Sequence, residues 1–122
     1  MLFRSLTSDS LLAFQRDLEA RNVADRVMIY VWSEFGRRAA ENASAGTDHG
    51  SAGIGFLIGT RVNGQMIASF PGVSGGLNNL GNLSPTADFR AVYSAILEQW
   101  LQVDATVILP DVQAYTRPTL LR

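Results

Sequence analysis

The chain begins with apolar residues at helical spacing. Leu11, Phe14 and Leu18 recur at intervals of three and four, with Gln15, Arg16, Glu19 and Ala20 around them. That period puts the apolar side chains on one face and predicts an amphipathic helix running to about Arg21. Ser8 or Asp9 is placed to cap its start, and Asn22 to end it in the left-handed conformation. The next segment, Val27-Met28-Ile29-Tyr30-Val31-Trp32, is apolar at every position. It is too short for a buried helix, so it predicts a strand covered on both faces, as in a parallel sheet flanked by helices. Ile54 to Ile58, interrupted by Gly55, predicts a second strand. Arg61 to Ile67 reads as a hairpin, because Asn63-Gly64 suits a type I′ turn.

The helical period returns near the end. Phe89, Val92, Tyr93, Ile96, Leu97, Trp100 and Leu101 make a full stripe, expected to be core. Thr86 is placed to cap this helix, with Asp88 near its positive end. Arg90, a cation at a helix start, needs a specific partner, expected to be a carboxylate across the site. Val107 to Leu109 reads as an edge strand. Residues 36–53 and 69–85, polar or rich in Gly, Ala and Asn, read as long surface loops. The fold class is therefore α/β: a mostly parallel sheet flanked by helices, with a small β-hairpin. One two-faced strand, a hairpin and two helices are thin for a closed parallel sheet. The chain, residues 1–122, thus reads as a single partial domain, the C-terminal segment of a larger α/β domain.

Composition narrows the function. The chain has 122 residues, 47% of them hydrophobic, enough for one small domain with a core. Ten basic and 11 acidic residues give a net charge of -1, and no basic stretch offers the electrostatic footprint of a nucleic-acid binder. There is no cysteine, which removes disulfides, thiolate metal ligands and a cysteine nucleophile. No apolar run approaches the roughly 20 residues of a membrane span. Met1-Leu2-Phe3-Arg4 does not open a signal peptide.

The residues able to carry chemistry fall in two places. Thr47-Asp48-His49 lies between Gly46 and Gly50, and His49 is the only histidine. An adjacent Asp and His offer a divalent metal one hard and one borderline ligand. The alternative is a solvent-exposed turn in which Asp48 bonds backbone. Upstream, Ser33-Glu34-Phe35-Gly36-Arg37 follows the apolar strand, at the carboxyl end where α/β sheets place their sites. Glu34 can be a ligand, a general base, or the ion-pair partner of Arg37 or Arg38. Arg37 can hold an anion with its planar fork, or tie the loop to a carboxylate. Ser33 lacks a nucleophile elbow. The glycine-rich stretch 72–81 lacks the lysine of a phosphate loop.

Ser33-Glu34-Phe35-Gly36-Arg37, Glu41-Asn42, Gly46-Thr47-Asp48-His49-Gly50, and Asp88-Phe89-Arg90 with Val92-Tyr93 occur in an order and spacing that resembles a known family. It is the C-terminal end of the bacterial domain of unknown function 1501 proteins, matched over about residues 8 to 110. Members look like relatives of the alkaline phosphatase and sulfatase superfamily. The resemblance implies an alkaline-phosphatase-like fold and a metal-dependent hydrolase of phosphate or sulfate esters. It implies that Asp48 and His49 ligate a divalent metal such as zinc, manganese or calcium. Glu34 would ligate or act as base, and Arg37 would hold the anion of a small-molecule or polymer ester. In the superfamily the nucleophile and further ligands come from an N-terminal half. The resemblance therefore implies that this chain is inactive alone and needs that half, or self-association. Members often carry a twin-arginine signal, which implies a periplasmic or exported bacterial protein. The alternative is a non-catalytic exported binding protein that keeps the fold. Two departures bear on the site. There is no second histidine, and Glu34-Phe35-Gly36 stands where many superfamily members have Asp-His-Gly directly after the strand.

Overall fold

The computed structural model describes residues 2–122. Its elements are α1 (Leu2–Ala20), β1 (Ile29–Val31), β2 (Gly36–Glu41), β3 (Thr47–Gly50), β4 (Phe56–Ile58), α2 (Phe89–Ala95) and α3 (Ala105–Ile108). A 3-10 turn follows α1 at Ala24–Arg26, a π-helical turn Ile96–Trp100 continues α2, and a second 3-10 turn spans Val112–Ala114. The chain divides into two compact units, one running up to Val31 with Phe56–Val62, the other Trp32–Gly55 with Asn63–Arg122.

In the first unit the apolar period of α1 buries Leu18. The helix already runs at Leu2, so Ser8 and Asp9 lie within it and do not cap it. No Gly or Pro stands upstream to stop the helix earlier. Its end is as the sequence indicates: Asn22 takes φ 56°, and the Val23 N–H donates to the Leu18 carbonyl at 3.0 Å. β1 pairs antiparallel with β4, with Ile29 opposite Ile58, Tyr30 opposite Leu57 and Val31 opposite Phe56. The expected mostly parallel sheet is thus corrected: among the described residues both strand pairs are antiparallel. A continuous apolar run carries no signal for the direction of its neighbour, and the expected cover on both faces is incomplete: Val27 to Val31 are half-buried and Trp32 is 58% exposed.

In the second unit β2 and β3 form an antiparallel hairpin inside the stretch expected to be a loop. Its turn is built by Asn42, whose Oδ1 accepts from the N–H groups of Ser44 (3.0 Å) and Gly46 (3.1 Å). The Asn42 N–H donates to the Gly46 carbonyl at 2.8 Å, and the Ala45 N–H to the Asn42 carbonyl at 3.2 Å. The same five-residue pattern recurs at Asn78, whose Oδ1 accepts from Leu80 and Asn82. Its N–H donates to the Asn82 carbonyl, and its carbonyl accepts from Gly81. That second loop closes the Leu77–Leu83 bridge. The fourth residue of each loop is left-handed: Gly81 at φ 74°, and Ala45 at φ 54°.

Asp88, not Thr86, caps α2, accepting from the Arg90 N–H at 2.8 Å. The Thr86 hydroxyl instead donates to the Ser69 carbonyl. Arg90 also finds its carboxylate in Asp88, through Nε to Oδ1 (2.9 Å) and Nη2 to Oδ2 (2.7 Å), and not across a site. Its guanidinium lies 4.5 Å from the Tyr115 ring centre. The aromatic stripe is only partly core. Phe89 is 61% exposed and Leu101 55%, while the wholly buried positions on this helix are Ser94 and Ala95. The Ser94 hydroxyl is satisfied by the Arg90 carbonyl at 2.7 Å.

Ala95, Ala105, Val112 and Leu120 are all essentially buried, and α2, α3 and the Val112–Ala114 turn touch one another. Polar clamps hold the last residues there. Arg117 donates to Glu98 through Nε and Nη2, and through Nη1 to the Val112 and Tyr115 carbonyls, both at 2.6 Å. Gln99 donates to the Pro118 carbonyl and accepts from the Leu120 N–H, both at 2.8 Å. The π-helical turn closes with the Leu101 N–H on the Ile96 carbonyl at 3.2 Å. Val107 to Leu109 is not an edge strand, because Asp104 caps α3 there by accepting from the Thr106 N–H. Three apolar residues are too few to reveal a period. Asn63-Gly64 forms no type I′ turn, since Gly64 lacks the positive φ it requires. The Asn63 N–H goes to the Leu120 carbonyl at 2.7 Å, and the Gln65 amide to that of Thr119.

Ala45→Gly removes the left-handed cost at an L residue, offset by the backbone entropy of glycine. Chemical denaturation should show a gain of about 0.5 kcal/mol. The Arg90 hydrogen bonds hold the Asp88 carboxyl down at about 2, below its ordinary value near 4. The unfolded chain therefore binds this proton first as pH falls. The Asp88 contribution is complete above about pH 4 and is lost on descending to about pH 2. Asp88→Asn should flatten that part of an acid stability profile.

Candidate functional site

The hairpin owes its register to two glycines. Gly36 stands opposite Gly50, and a Cβ on Gly36 would overlap the Ala52 carbonyl. A Cβ on Gly50 would lie 2.7 Å from the Arg37 carbonyl carbon. Neither glycine takes a positive φ. Their need is close backbone approach, not the special turn conformations that glycine permits.

One step along, Arg37 faces His49 directly across the pair. In a strand, residues two apart share a face, so Phe35 and Arg37 lie on the same side as His49. The Phe35 and His49 rings stack with centres 3.5 Å apart and planes 17° apart. The Arg37 guanidinium lies 5.3 Å from the Phe35 ring centre and donates through Nη1 to the Thr47 carbonyl at 2.8 Å. Among the described residues, its Nε and Nη2 have no hydrogen-bond acceptor. Phe35 is half-buried, whereas Arg37 and His49 are exposed.

Asp48 belongs to the other face. Successive residues of an extended strand point to opposite sides, which separates its carboxylate from the His49 ring. The pairing moves from Arg37–His49 to Glu41–Thr47, so Arg38, Ala39 and Ala40 bulge against the single residue Asp48. The Asn42 amide donates to Asp48 Oδ1 at 3.0 Å. Glu34 lies in the bend before β2, exposed, with the Ser33 hydroxyl 3.4 Å from Oε2. Among the described residues Glu34 forms no ion pair with Arg37 or Arg38; ion pairs that do form include Arg21–Asp17, Arg90–Asp88 and Arg117–Glu98.

The hairpin thus gathers Arg37 and His49 and sets Asp48 apart. Asp48 and His49 are chemically suited to a divalent metal, but consecutive positions on β3 do not converge on one ion. Among the described residues no third carboxylate or imidazole joins them. The hairpin in this conformation does not fit a catalytic metal shell, which needs three or four ligands. Two residues that the sequence motifs contain, but to which they assign no role, shape the site: Phe35, the aromatic base under His49, and Asn42, which builds the turn and holds Asp48. The available signal was Asn42-Ala43-Ser44-Ala45-Gly46, a turn-type cluster midway between Gly36-Arg37 and His49-Gly50.

A separate open groove of about 440 Å³ is lined by Ile67, Thr86, Asp88, Val92, Tyr115 and Pro118, among others. None of the sequence-predicted site residues lines it.

The family described as protein of unknown function (DUF1501) matches residues 6–108. The chain belongs to this family. No curated protein and no solved structure matches it.

Gly36→Ala forces the Ala52 carbonyl away and opens the hairpin at its base. Denaturation should show a loss of about 3 kcal/mol, a steric penalty against backbone that cannot rotate aside.

Proposed function

We propose that the β2–β3 hairpin is an anion-holding element for phosphate or sulfate esters, carried within the C-terminal part of a larger α/β domain. The observation that supports this is the pairing of Arg37 with His49 on the Phe35 ring. It sets an exposed guanidinium with unbonded N–H donors beside an imidazole, on an aromatic base that fixes both. A planar fork of this kind matches the oxygens of a tetrahedral anion. The ligand class is an anionic small-molecule or polymer ester.

The hydrolase reading goes further. In it a divalent metal (zinc, manganese or calcium) would polarise the ester, with Asp48 and His49 as ligands. Glu34 would ligate or act as base, and Arg37 would hold the anion. It is supported by the exposure of all four side chains on one short stretch of chain. It requires ligands and a nucleophile from outside the hairpin, and a β3 conformation that turns Asp48 and His49 to one side. Non-catalytic binding by an exported protein is the second reading. Two observations favour it: His49 is stacked on Phe35, and Asp48 is bonded to Asn42.

Thermal melts separate these readings. A ligand of the folded state at a hundred times its dissociation constant stabilises by about 2.7 kcal/mol. Inorganic phosphate or sulfate should raise the midpoint of the wild type and not of Arg37→Ala. If zinc, manganese or calcium also raises it, and Asp48→Ala and His49→Ala each abolish that rise, the hydrolase reading gains. An anion effect without a metal effect leaves binding. No anion effect, or one equally large in Arg37→Ala, overturns the proposal.

A further inference from the structure

We infer that Asn63 is a spontaneous modification site, at which the Asn63-Gly64 peptide converts to aspartate and isoaspartate. The backbone nitrogen of Gly64 attacks Cγ of Asn63, loses its proton and expels the side-chain nitrogen as ammonia. The resulting five-membered succinimide is opened by water at either carbonyl. The sum is asparagine plus water giving aspartate or isoaspartate plus ammonia, with no change of oxidation state.

Three observations place this reaction at Asn63. Gly64 is exposed, and no atom lies within 4 Å of where its Cβ would be, so the ring can close without steric opposition. Among the described residues neither the Gly64 N–H nor the Asn63 side-chain amide makes a hydrogen bond. The pair is also not locked in a tight hairpin turn, because Gly64 lacks the positive φ that turn imposes. The other asparagines are protected. Asn42 and Asn78 have Oδ1 committed to two backbone N–H groups each. Asn22, Asn79 and Asn82 precede Val23, Leu80 and Leu83, whose branched side chains crowd the attacking nitrogen.

The product matters because of what this stretch holds. The Asn63 N–H and the Gln65 amide donate to the Leu120 and Thr119 carbonyls, and Leu120 is a buried core residue. Isoaspartate inserts an extra backbone carbon between these two donors and shifts their register. The last residues of the chain are released from this anchor as the protein ages.

The test uses the full chain and Gly64→Ala, a substitution the open space and ordinary φ of Gly64 accept without strain. Both are incubated at mildly alkaline pH and body temperature, then mapped by peptide mass spectrometry and enzymatic methylation of isoaspartate. Asn63 should convert roughly tenfold faster than Asn22, Asn79 or Asn82, and Gly64→Ala should slow it by a similar factor, since the added Cβ obstructs attack. Far-ultraviolet circular dichroism confirms that the variant is folded. Limited proteolysis of the aged wild type should show faster cleavage in the last residues. Conversion at Asn63 no faster than at the other asparagines, or equal rates in wild type and Gly64→Ala, overturns the inference.

Discussion

The close approach of two backbones at Gly36 and Gly50 is the constraint on which the site depends. With no Cβ on either residue, β2 passes beside the Ala52 carbonyl and β3 packs against the Arg37 backbone. Once that pair is set, strand periodicity places Arg37 opposite His49 and brings Phe35 to the same side. The bulge at Arg38–Ala40 then opposes Asp48, and Asn42 gathers the turn. The site is thus a consequence of backbone sterics at two residues that carry no functional group.

Elsewhere in the second unit, polar contacts do much of what a larger apolar core would do. The fully buried side chains are small or few: Ser94, Ala95, Ala105, Val112 and Leu120. The terminal segment is held by the fork of Arg117 on Glu98 and by the two-way amide of Gln99. Hydrogen bonds to charged groups are worth about 1.5–3 kcal/mol when part-buried, comparable to burying one aliphatic side chain. Many large apolar residues stay exposed, Met66, Phe70, Leu80 and Val107 among them.

Membership of the DUF1501 family rests on the match over residues 6–108. The proposed anion contact rests on the hairpin. In it neighbouring residues of an extended strand diverge while cross-strand partners converge. Arg37 and His49 are cross-strand partners; Asp48 and His49 are neighbours.

The sequence by itself determined the features that depend on local periodicity and residue chemistry. These are the helix ending at Asn22, the helical stripe that begins at Phe89, though not its cap, and the concentration of polar and charged side chains at 34–37 and 48–49. It also marked Gly46 and Gly50 on either side of Thr47-Asp48-His49, but gave no sign of the close backbone approach that Gly36 and Gly50 serve. The tertiary structure alone decided strand direction, the hairpin inside residues 36–50, the partner of Arg90, and the replacement of an edge strand by α3. The physical reason is the same in each case. An apolar run or a polar cluster encodes how much of a residue is covered. Which backbone does the covering, and from which side, is fixed only when distant segments meet.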